Sequence, residues 1–85
     1  MRRLGIIAII VKYGNDKAPL EIQKLLSSYS RIIIGRMGVP DKDSGYNTIS
    51  IIVKGSVEDI SALSGKLGKL ENVSVKSALT SVEID

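Results

Sequence analysis

Cysteine and histidine are both absent from this 85-residue chain. Without cysteine there are no disulfides and no thiolate metal sites. Without histidine as well, zinc, nickel, copper and iron–sulfur centres lose their usual ligands. Only an oxygen-built site for a hard cation would remain, and no EF-hand-like acidic spacing occurs. Tryptophan and phenylalanine are also missing, and the three tyrosines fall at positions 13, 29 and 46. Net charge is small: 12 basic and 9 acidic residues leave a formal +3, a weak pull toward nucleic acid. No apolar run is long. Residues 4–11 follow two arginines and imitate a secretory leader, but no small-x-small cleavage site follows. They fall far short of the roughly 20 residues that cross a bilayer. A buried strand in a cytoplasmic protein with no membrane partner is the expectation.

What is present is a regular alternation of elements. RLGIIAIIVK, residues 3–12, is β-branched and almost continuously apolar, as in a strand covered on both faces. Residues 13–17 form a turn, with Gly14 and Asn15 suited to unusual backbone angles. Asp16 is placed to cap a helix that has Pro19 in its first turn and ends near Tyr29. Ala18, Ile22, Leu25, Leu26 and Tyr29 share one face of it. RIIIGRMGV, residues 31–39, reads as a second strand, PDKDSGYN as a long hairpin loop, and NTISIIVK, residues 47–54, as a third strand. Ser56 and Asp59 make a capping box for a helix over 57–70, with Ile60, Leu63, Leu67 and Leu70 as its core stripe. VSVKSAL, residues 73–79, is a fourth strand, and the last six residues read as frayed.

The order βαββαβ predicts one α+β domain over residues 1–85. It has the ferredoxin-like split βαβ arrangement: a four-stranded antiparallel sheet, order 4-1-3-2, with two helices on one face. Alternation puts Ile7, Ile9 and Val11 on one face of the first strand and Ile6, Ala8 and Ile10 on the other. Helices cover only one face, so the second apolar face predicts a homo-oligomer, a dimer or tetramer, formed by packing sheets or by joining their edges.

Gly65 and Gly68 fall inside the second helix, where each costs about 0.5–1 kcal/mol relative to alanine. With Ser61 and Ser64 they form a flank of small residues. It predicts close approach of another backbone, either the first helix or a partner subunit. Phosphate loops put glycines before a helix rather than within it.

Catalysis has little support. No serine sits in a G-x-S-x-G setting, and the nearest carboxylates, Asp41 and Asp43, belong to a solvated loop. No cofactor is called for. The central strands lack the aromatics on which an RNA-recognition-motif sheet stacks bases. No helix-turn-helix or ribbon arm is present, so no direct nucleic-acid contact is expected. Arg2, Arg3, Arg31 and Arg36 read as a solvated basic rim. Binding remains. Gly14, Asn15 and Asp16 lead into a helix N-terminus suited to an anion, and Arg36 of a neighbouring subunit is expected to supply charge in the same region.

ALSGKLGKLENVSVKSAL, residues 62–79, with GRMGVP at 35–40, closely resembles the small proteins described as iron-only hydrogenase system regulators. The resemblance covers nearly the whole chain. It implies an ACT-like or nickel-regulator-C-terminal-like fold, a dimer or tetramer, and a non-enzymatic regulatory role. Nickel regulators of that fold bind metal through His and Cys, which this chain lacks, so no nickel site carries over. ACT domains bind amino acids near the first strand-to-helix turn, which implies an amino-acid-like effector at Gly14, Asn15 and Asp16. The alternative is an interaction module that docks a regulatory protein partner without a small ligand.

Overall fold

The computed structural model describes residues 1–12, Gly14 and residues 17–84. Strand β1 is Arg2–Lys12, helix α1 Lys17–Ser28, β2 Ile33–Asp41, β3 Tyr46–Gly55, α2 Val57–Gly68 and β4 Val73–Ile84. A short 3₁₀ turn, Ser30–Ile32, leads into β2, which therefore starts two residues later than the expected strand. The sheet is antiparallel with order β2-β3-β1-β4, which is 4-1-3-2 read from the other edge. This is the predicted ferredoxin-like arrangement.

The core lies between the helices and one face of the sheet. Ile7, Ile9 and Val11 of β1 and Ile51 and Val53 of β3 are buried there. They meet Ala18, Ile22 and Leu26 of α1 and Ile60, Leu63 and Leu67 of α2. The periodicities of two and 3.6 converge on one apolar layer. The Ser56 hydroxyl accepts from the Asp59 amide at 3.0 Å and starts α2. After α2, Asn72 takes φ +64° and turns the chain into β4.

Other boundaries also differ from expectation. The hairpin loop is short, because Pro40 and Asp41 belong to β2 and Tyr46 opens β3. The Asp41 carbonyl accepts from the Gly45 amide at 3.1 Å, its carboxylate from the Asp43 amide at 3.2 Å, and Gly45 takes φ +82°. The turn thus closes on itself in four residues, and a central strand does begin with a tyrosine. Helix α2 ends at Gly68 rather than 70. The last residues are not frayed. β4 continues to Ile84, pairing Ile84 with Arg2 and Glu83 with Arg3 across a register shift. There the Thr80 hydroxyl donates to the Leu4 carbonyl at 2.8 Å, and Arg3 meets Glu83 at 3.9 Å.

The face away from the helices is open. Its residues fall into rows across the four strands, because partners in register share a face. One row is Gly35, Ile52, Ile6 and Ala78; the next is Met37, Ser50, Ala8 and Lys76; the third is Val39, Thr48, Ile10 and Ser74. Ile6, Ile10, Ile52, Met37 and Val39 are all exposed.

Candidate functional site

A groove of about 310 Å³ runs between α1 and the edge strand β2. Its floor is apolar, from Val11, Ile22 and Ile49, with Pro19 and Pro40 on the walls. Each arrives by its element's own period. Ile22 and Pro19 are three apart on α1. Val11 ends the buried face of β1, and Ile49 lies on the helix-facing side of β3, two residues before buried Ile51.

Three polar side chains enter this apolar setting: Gln23, Arg36 and Asn47. Arg36 pairs in register with Ile51, so it projects from β2 toward the helices. There its Nη1 donates to Oε1 of Gln23 at 3.3 Å. That partner is neutral, and no carboxylate pairs with Arg36 among the described residues. Arg36 also lines a second depression, with Leu26, Ser27, Ser30 and Ile33. Asn47 is partly buried, and its Oδ1 is shut away without a hydrogen-bond partner among the described residues. A buried unpaired acceptor costs about 1–3 kcal/mol.

Of the residues expected to bind an effector, Arg36 lies on this groove. Gly14 takes φ +89°, a glycine conformation, but does not line it. Asn15 and Asp16 lie outside the described residues. Gln23 and Asn47 were missed, because only the fold brings α1, β2 and β3 together. Among the described residues no group of three or more His, Cys, Asp or Glu could hold a metal ion. No described helix is long and apolar enough to cross a membrane.

The small flank of α2 is a separate surface. Ser61, Gly65 and Gly68 are exposed and Ser64 is half-buried. A Cβ added at Gly65 or Gly68 would meet nothing within 4 Å. Helix α1 is therefore not the backbone these glycines admit, which corrects half of the expectation; a partner subunit is the remaining half. The helices meet instead through the opposite side of α2. There Lys66 holds its Nζ 5.1 Å from the centre of the Tyr29 ring.

The family described as "TM1266-like: Iron-only hydrogenase system regulator, putative" matches residues 3–77. The solved structure of the uncharacterized protein TM1266 from Thermotoga maritima is 33% identical, with a TM-score of 0.88, over 93% of this chain and 98% of that one. The ACT domain of the GTP pyrophosphokinase of Chlorobium tepidum is similar in fold: 21% identity, TM-score 0.75, over 92% of this chain and all of that domain. A structure described as a "putative glycine cleavage system transcriptional repressor" shares the fold at 15% identity and TM-score 0.70, with this chain covering 49% of it. No curated protein matches the sequence.

Proposed function

The chain belongs to the TM1266-like family of iron-only hydrogenase system regulators, and on that premise we propose that it is a non-enzymatic cytoplasmic module whose oligomer binds a small effector in the α1–β2 groove. The observation that carries this reading is Arg36. It is a guanidinium on an apolar-lined groove, and its recorded partner is the neutral Gln23 amide. Such a group suits a carboxylate or other anion, since charge-assisted contacts to guanidinium are stronger than neutral ones. The apolar floor suits an aliphatic body. An amino acid combines the two.

Binding regulates only if the ligand distinguishes two states of the protein. The groove joins α1 to the edge strand, so a ligand there biases how α1 and β2 are held against each other. In this reading the output passes to a protein partner, with no direct contact to nucleic acid or membrane.

A thermal-shift panel of amino acids, nucleotides and small carboxylates tests the proposal. A saturable rise in melting temperature is expected for at least one carboxylate. It corresponds to roughly 2.7 kcal/mol at a hundredfold excess over Kd. A flat panel on well-folded protein contradicts it. A second reading, a docking module without a small ligand, is favoured by one observation: the open flank of Ser61, Gly65 and Gly68. Co-purification of a partner that Gly65→Leu abolishes would support it.

A further inference from the structure

We infer that Asn47 sets the specificity of the groove, selecting an amino acid whose side chain ends in an uncharged hydrogen-bond donor such as an amide or a phenol. The inference rests on the reading above, in which the groove takes an effector with its carboxylate at Arg36.

Register places the two polar groups. On the helix-facing side of the sheet, Arg36 is opposite Ile51, Gly38 opposite Ile49 and Pro40 opposite Asn47. Arg36 and Asn47 therefore stand two rows apart, with the Gly38–Ile49 row between them. At about 3.3–3.4 Å per residue, those rows are about 13 Å apart along the strands. The stretch between is open and apolar. A Cβ added at Gly38 would meet nothing within 4 Å, and Ile49 forms part of the floor.

Asn47 needs a donor that its surroundings do not supply. Its Oδ1 is buried, and no described residue donates to it. Its neighbour across the strand pair is Pro40, and α1 brings Pro19 to the same groove; neither has an N–H. Val11, Ile22 and Ile49 bring only apolar side chains. Asn47 itself lines the groove. The torsion that turns its amide is soft, so the carbonyl can swing to a ligand at little cost. A ligand that donates there satisfies an acceptor otherwise left unpaired, and a ligand ending in a methyl group or a bare ring does not.

Spacing and charge then define the ligand. The carboxylate and the α-amino group of an amino acid share one carbon, so both stay at the Arg36 end. What reaches Asn47 is the tip of the side chain. No carboxylate lines the groove, so a cationic tip would be desolvated without a counter-charge. The donor is therefore neutral. A site that hydrogen-bonds a substrate group rejects the analogue lacking it far better than an apolar pocket discriminates by size.

Calorimetric titration of two near-isosteric pairs tests this: tyrosine against phenylalanine, and glutamine against methionine. In the wild type, the donor-bearing member of at least one pair should bind roughly tenfold or more tightly. In Asn47→Leu that preference should vanish or reverse, with the donor-free member bound at least as well as by the wild type. A merely structural role for Asn47 would weaken both members alike, and that result overturns the inference. Should Asn47→Leu fail to fold, the wild-type comparison decides alone. Equal binding within both pairs, still lost in Arg36→Leu, overturns the inference and leaves the groove reading in place. No binding by any of the four also overturns it, and the wider panel above then decides the groove reading by itself.

Discussion

The side chain of Ile32 fills the space that a Cβ on Gly55 would need. That carbon would lie 2.8 Å from Ile32 Cγ2 and 3.2 Å from its Cβ. The contact joins the last residue of β3 to the 3₁₀ turn before β2, at the edge of the core. Ile32 is β-branched and buried, with little freedom to give way. Gly55→Ala is therefore expected to destabilise the fold by about 1–3 kcal/mol, the usual range for overpacking. Urea denaturation measures it, and an unchanged midpoint would show that Ile32 yields.

Gly65→Ala should have the opposite sign. The position is helical, exposed and open to a Cβ. Alanine there is expected to stabilise by about 0.5–1 kcal/mol. A loss of stability or of assembled mass instead would show that the flank lies against a partner subunit.

Ser56→Ala removes the hydroxyl that caps α2. The expected loss is about 1 kcal/mol in the same denaturation experiment, with Ser56→Asp recovering most of it. A loss that Ser56→Asp does not recover would move the cause from capping to packing.

Arg36→Leu should leave stability nearly unchanged, because the guanidinium bonds an exposed neutral amide. It should abolish any carboxylate-induced rise in melting temperature. Gln23→Leu should weaken that response less, since it removes only an orienting contact. An Arg36→Leu protein that responds like wild type would take the site off this groove.

The fold was legible because two periodicities did different work. Alternation in β1 separated Ile7, Ile9 and Val11 from Ile6 and Ile10, and the structure buries the first set and exposes Ile6 and Ile10. The helical spacing picked out Ile22, Leu26, Leu63 and Leu67, all buried. What depended on distant partners was not legible. The end of β4 read as frayed because its partners, Arg2 and Arg3, lie at the other end of the chain. The glycines at which a side chain would collide with a neighbour are Gly5, beside the Ala78 carbonyl, and Gly55, beside Ile32, rather than Gly65 and Gly68. No spacing rule exposes a clash between residues more than 20 apart. The groove is the same case. Arg36 was singled out for its charge, whereas Gln23 and Asn47 acquire meaning only when α1, β2 and β3 are side by side.

The most direct measurement is a two-dimensional amide NMR titration of the folded protein with amino acids and small carboxylates. The account predicts saturable shifts centred on Gln23, Arg36 and Asn47 for at least one of them, absent in Arg36→Leu. Saturable shifts centred elsewhere, or none across the panel, would contradict it.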